Sequence, residues 1–152
     1  MRENIGRSHP PQGVYIFRDR PTIVFVTVCE HGRKKVLARH QAHQALLAAW
    51  HLADAWLVGN YVIMPDHVHF FCAPHSEDYT LEHWVTFWKR LFKRSFGPGA
   101  PSFQSHSFHH RLRRGEDYRE KWEYVRANPI RAGLAAKSED WPFQGMLHQL
   151  RW

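Results

Sequence analysis

The apolar positions of this chain change period along its length, and each change marks an element. Thr22 to Cys29 (TIVFVTVC) is a dense β-branched run after Pro21, the composition of a central strand. From Gln41 to Asp54 the apolar residues Ala42, Ala45, Leu46, Ala49 and Ala53 recur at helical spacing among good helix formers, which predicts an amphipathic helix. Trp56 to Met64 and His67 to Ala73 are strand-like runs separated by the turn-forming pair Pro65-Asp66, the pattern of an antiparallel hairpin. Leu81 to Phe96 then sets Leu81, Trp84, Val85, Trp88, Leu91, Phe92 and Ser95 on one helical stripe, and Gly97-Pro98-Gly99 ends it. Ser107 to Leu112 reads as a short last strand. A final helix starts at Glu116 or Asp117 and runs to Pro129, because the residue before a proline is pushed out of the α region.

Strand, helix, strand, strand, helix, strand, helix is the order of the split βαβ, ferredoxin-like fold, an α+β architecture in which an antiparallel sheet carries its helices on one face. The other face is then free for function, and the strand holding His67 and His69 is central in it. No repeat or composition break divides the chain, so a single domain over 1–152 is expected, with 1–12 as a flexible leading segment and 141–152 as a tail.

Composition narrows the partners. A hydrophobic content of 43% with 14% aromatics supports a real core in 152 residues. Lys and Arg number 21 against 14 acidic residues, a net charge of +7 and a pI near 9.8. That is the electrostatic footprint of a polyanion binder, nucleic acid first and an anionic membrane surface second. No secretory leader and no run near the ~20 apolar residues that cross a bilayer is seen, so no membrane role and a cytoplasmic location are expected. Cys29 and Cys72 form no CxxC pair, and most of the 13 histidines, among them His9, His31, His40, His43, His51 and His148, lack ligand spacing and read as solvated.

His67 and His69 differ. In a strand, residues two apart share a face about 7 Å apart at the backbone, within reach of one metal ion, while Val68 packs on the opposite side. Either one imidazole is exposed and the other is bonded to backbone, or the two share a metal; spacing alone leaves both open. In the last helix Tyr118, Trp122 and Val125 fall within about 60° of one another, whereas Tyr124 and Asn128 lie on a separate side about 40° apart. A tyrosine with a carboxamide one turn later offers a hydroxyl and an oxygen ligand to one point in space. Four cations, Lys89, Arg90, Lys93 and Arg94, surround the aromatic stripe of the second helix and are either a solvated face or a phosphate grip.

Together, DHVHFF and the downstream YVRANPIRAGL (Tyr124 to Leu134) resemble the REP-associated tyrosine transposases of the single-tyrosine HUH superfamily. The likeness runs from about Pro11 to Trp141, through the TVCEHGR segment, MPDHVHFF, the helix ending WKRLFKRSF, and FHHRLRRGEDY. It implies a metal-dependent endonuclease and strand transferase that nicks and rejoins single-stranded DNA at palindromic repeat hairpins through a 5′-phosphotyrosine intermediate. By position in the motifs, Tyr124 matches the nucleophile, His67 and His69 the metal ligands, and Asn128 the third ligand. A phenol with pKa ~10 is a poor nucleophile at neutral pH, so the site must activate and position it. Two imidazoles and an amide oxygen leave coordination positions open for phosphate and water, which suits Mg²⁺ or Mn²⁺ better than a closed zinc site.

The same resemblance nominates Lys89, Arg90, Lys93, Arg94, Arg111, Arg113, Arg114, Arg126 and Arg131 for the DNA backbone. Where the family often carries an aromatic and an acidic residue, this chain has Phe108, His109 and His110, and His109 or His110 is a further candidate for the metal site. The family allows either a monomer or a homodimer. The competing readings are a domesticated module that binds hairpins without cutting, and a generic metal-binding or RNA-binding ferredoxin-like domain, although the aromatic sheet motif of an RNA-recognition module is missing.

Overall fold

A computed structural model describes residues 22–113 and 116–151; Arg114 and the leading segment 1–12 lie outside the described residues. Five antiparallel strands form one sheet: β1 (Val24–Cys29), β2 (Trp56–Met64), β3 (His67–Pro74), β4 (Phe108–Arg111) and β5 (Gln144–Met146), in the order β4-β1-β3-β2-β5. The first four strands reproduce the ferredoxin-like order expected from the sequence, with β3 at the centre. The helices are α1 (His40–Leu52), α2 (Leu81–Phe96), α3 (Glu116–Val125) and the short α4 (Asn128–Arg131).

Alternation along β1 and β3 sorts the sheet into two faces. On one, Val24, Val26, Val28, Val68, Phe70 and Cys72 pack against α1 and α2 through Trp50, Trp84, Trp88 and Phe92, forming the main core. Thr80 caps α2 by accepting the amide of His83 at 3.1 Å, and Gly97, at φ 90°, ends the helix in a conformation open to glycine. The aromatic stripe of α2 is therefore buried structure.

The opposite face is only partly covered. Here α3 crosses the sheet instead of joining the helical layer: Tyr118 and Trp122 lean on Phe71 with ring centroids 4.8 and 6.3 Å apart. Val125 packs with Val62, Met64 and Trp141. The apolar stripe Tyr118, Trp122, Val125 thus fixes how α3 lies. The close approach depends on Gly59, where a Cβ would stand 2.7 Å from both the Tyr118 hydroxyl and Leu150. The stretch 141–151 is no loose tail. Trp141 donates its indole N–H to the Ile63 carbonyl at 3.0 Å, β5 pairs with β2, and His148 donates to the Val58 carbonyl at 3.0 Å.

Candidate active site

The register carries the site. His67 pairs with Cys29 and Met64, and His69 with Thr27 and Val62, so both imidazoles lie on the face crossed by α3. Each ring is held through its δ nitrogen. His67 Nδ1 meets Asp66 Oδ1 at 2.7 Å, and His69 Nδ1 meets Thr27 Oγ1 at 2.8 Å. Their Nε2 atoms face each other at 3.2 Å. With Nδ1 donating to Asp66 and to Thr27, both Nε2 lone pairs point into the same space, which is repulsive without a proton or cation between them.

Two donors about 2.1 Å from one ion at right angles stand about 3.0 Å apart, so this spacing fits a divalent cation taking the pair as neighbouring ligands. The alternative left open by spacing, one exposed ring and one bonded to backbone, is not what the structure has. Burial first, then the charges of His67, Lys121 and Arg131, lower the His69 pKa to about 3, so His69 is neutral and its Nε2 can ligate.

Asp66, a turn former by sequence, has a larger part here. Its second oxygen accepts from Arg33 Nε at 2.9 Å. Burial pushes the carboxyl up, but the hydrogen bonds and charges of His67 and Arg33 outweigh this and hold it below the ordinary carboxylate range. Arg33 reaches Asp66 from a left-handed backbone, φ 62°, unusual for a side chain with a Cβ. The buried Glu30 holds that loop by accepting the amides of Gly32 at 2.9 Å and Lys34 at 2.7 Å, while the Arg33 amide donates to the Glu30 carbonyl. Carboxylate–histidine pairs of this kind orient metal ligands. The signal was Asp66 standing directly before His67; Thr27 could be found only from the register.

Tyr124 stands one residue before the end of α3 and is 62% exposed. The sequence predicts one helix to Pro129; the structure stops α3 at Val125 and opens α4 at Asn128, with Pro129 in its first turn. Proline lacks the N–H that a first turn leaves unpaired, so it starts a helix as readily as it ends one. Tyr124 and Asn128 therefore sit across a turn instead of one helical turn apart, and Arg131 joins them. Its guanidinium lies 4.0 Å above the Tyr124 ring, donates to the Tyr124 carbonyl at 2.8 Å, and donates to the Asn128 amide oxygen. Arg131 also acts electrostatically on His69, which ties this turn to the histidine pair.

Among the described residues no group of three His, Cys, Asp or Glu side chains converges to hold a metal. His109 is not available: it pairs with Val26, whose side chain belongs to the helix-side core, and so turns away from His67 and His69. His110 pairs with Phe25 and is on the site face.

The nominated cations divide by face. Lys89, Arg90, Lys93 and Arg94 belong to α2, on the far side of the sheet. There Lys89 donates to the Gln104 carbonyl at 2.8 Å, Arg90 lies 5.7 Å from the Phe87 ring, and Lys93 and Arg94 are exposed. Arg111 shares the strand face of His109, Arg113 is exposed, and Arg126 lies 3.7 Å from Glu123. On the site side stands a cation that no sequence motif marks: Lys121, 4.9 Å above the Phe25 ring, which itself stacks on His69 at 5.3 Å.

The fold is shared with a solved tyrosine transposase. The chain superimposes on a solved structure described as the REP-associated tyrosine transposase bound to a REP hairpin, with a TM-score of 0.67 and 23% identity, covering 82% of this chain and 75% of that one. In sequence it is similar to the REP-associated tyrosine transposase of Escherichia coli (strain K12), 28% identical over 87 residues, or 57% of this chain. It spans about half (52%) of that relative's length. No family model matches.

Proposed function

We propose that this chain is a metal-dependent single-strand DNA transesterase that nicks and rejoins DNA at palindromic hairpins through a 5′-phosphotyrosine. The observation that supports it best is the pair of Nε2 atoms facing each other at 3.2 Å, each ring held by its δ nitrogen, on the face where Arg131 links Tyr124 and Asn128. The similarity to a REP-associated tyrosine transposase in sequence and fold supports the substrate class.

In this reading the Tyr124 hydroxyl oxygen attacks phosphorus, one P–O bond forms to tyrosine, and the bond to the 3′-oxygen breaks. The phenolic proton passes to solvent and the leaving 3′-oxygen takes one up. Rejoining reverses the step, one ester being exchanged for another, so no external energy source is needed. His67 and His69, with Asn128 as third ligand, would hold Mg²⁺ or Mn²⁺, which supplies polarisation of the phosphate oxygen and neutralises developing charge. Asp66 and Thr27 keep the imidazole rings turned. Arg131 fixes the nucleophile's turn and adds positive charge beside it.

The test is incubation of the purified protein with single-stranded DNA carrying palindromic repeats of its source genome, with Mn²⁺ or with EDTA, followed by a denaturing gel. A metal-dependent covalent adduct, absent in Tyr124→Phe although hairpin binding is retained, is the expected result. Hairpin binding without any adduct would replace this reading with the non-cleaving binding module.

A further inference from the structure

Phe108 is the most exposed large apolar side chain among the described residues, at 73%, and it is the first residue of β4, the strand at one edge of the sheet. Alternation puts Phe108 and His110 on the site face and His109 and Arg111 on the other. The register places Phe108 directly across from Thr27, the residue that holds His69, so Phe108, Thr27 and His69 form one row across three strands. At the usual strand spacing Phe108 is about 10 Å from His69 at the backbone. His110, also exposed, lies across from Phe25, whose ring stacks on His69 and carries Lys121 above it. Two exposed flat rings, two residues apart, thus open beside the histidine pair on a face edged by Lys121 and Arg131.

We infer that Phe108 and His110 form a stacking platform for unpaired bases of a single-stranded DNA whose backbone passes the His67–His69 pair. A phosphate at the histidines puts its neighbouring bases within reach of this edge. Aromatic rings beside a positively charged track are how proteins hold single strands, since every base offers a π-face. The platform rests on the proposed function for its ligand, but it concerns the unpaired flank and not the cut or the hairpin stem. It also accounts for an apolar ring left in water on an edge strand, where proteins ordinarily place charge to deter pairing.

The test uses the full chain and a hairpin it binds, with 2-aminopurine replacing each unpaired flanking base in turn. Wild type is expected to quench the fluorophore at one flanking position. Phe108→Ser should abolish that quenching and weaken binding about 5- to 100-fold, while Phe108→Trp keeps both and a hairpin without flank binds both variants alike. Circular dichroism checks that Phe108→Ser is folded. Unchanged quenching and affinity in Phe108→Ser would overturn the platform while leaving the adduct assay untouched. Phe108→Ser converting a dimer to a monomer in sedimentation, with flank quenching retained, would assign this edge to a second copy instead. No binding to any hairpin by wild type would overturn both the platform and the proposed function.

Discussion

At the scale of single residues, the site is built from side chains that each do two things. Asp66 accepts from His67 and from Arg33, so its loss frees the His67 ring and leaves Arg33 without its anchor. Asp66→Ala should weaken Mn²⁺ binding about 10- to 100-fold in isothermal titration, with Asp66→Asn in between, since an amide oxygen still accepts from Nδ1. Arg131 is equally divided between the Tyr124 ring, the Tyr124 carbonyl and the Asn128 amide. Lysine keeps the charge but has neither the planar face nor the fork. Arg131→Lys is expected to slow adduct formation at least ~10-fold with less than ~5-fold loss of hairpin affinity, a split that separates positioning of the nucleophile from general attraction to DNA. Equal losses in rate and affinity would instead make Arg131 a simple phosphate contact. That His67 and His69 share a face was legible in the sequence because the strand period assigns faces directly, whereas Tyr124 stood out through the motif it belongs to. Asp66 and Thr27 were not legible, because a turn residue and a cross-strand partner acquire their roles only once the register is known.

At the scale of elements, the strand and helix bounds followed the apolar pattern closely: α2 is the predicted Leu81–Phe96, and the Trp56–Met64 strand is unshifted. The exceptions have physical causes. Pro129 was read as a stop but serves as the start of α4, the position where its missing N–H costs nothing. β5, Gln-Gly-Met, is too short and too polar to show alternation, and it exists because β2 has a free edge and Trp141 anchors the chain beside it. Gly59 is the point where β2, α3 and the end of the chain meet. Gly59→Ala would force the Tyr118 hydroxyl and Leu150 apart and is expected to cost about 1 to 3 kcal/mol, seen as a lower urea midpoint. Tyr61 joins β2 to α1 through a 2.7 Å hydrogen bond with His43 Nε2, and burial raises its pKa to about 12. The neutral phenol is thus favoured in the folded state: stability from this group is complete below pH ~10 and is lost as pH rises through about 12. Alkaline denaturation should therefore steepen above pH ~10 in wild type and less so in Tyr61→Phe.

At the scale of the whole molecule, the sheet separates two jobs. One face is closed by α1 and α2 into an aromatic core; the other holds the partly buried histidines and Thr27 beside the exposed Phe108 of β4. The sequence carries +7, and among the described residues cations stand on both sides of the sheet, so sequence alone could not say which of them would meet the proposed DNA. The structure puts Lys121 and Arg131 on the site face and Lys93 and Arg94 on the outer side of α2. Filter-binding titrations against salt should accordingly show Lys121→Ala lowering the slope by about one phosphate contact, and the Lys93→Ala, Arg94→Ala pair leaving it nearly unchanged. A larger change for the α2 pair would place the hairpin stem around the helical layer.

Whether His67, His69 and Tyr124 act together as one cutting site is read by tandem mass spectrometry of the digested protein–DNA reaction with Mn²⁺. A nucleotide attached through phosphate to the peptide containing Tyr124, absent with EDTA and in the His67→Ala, His69→Ala variant, is the expected result. Attachment at another residue, or an adduct indifferent to both metal and the histidines, would contradict it.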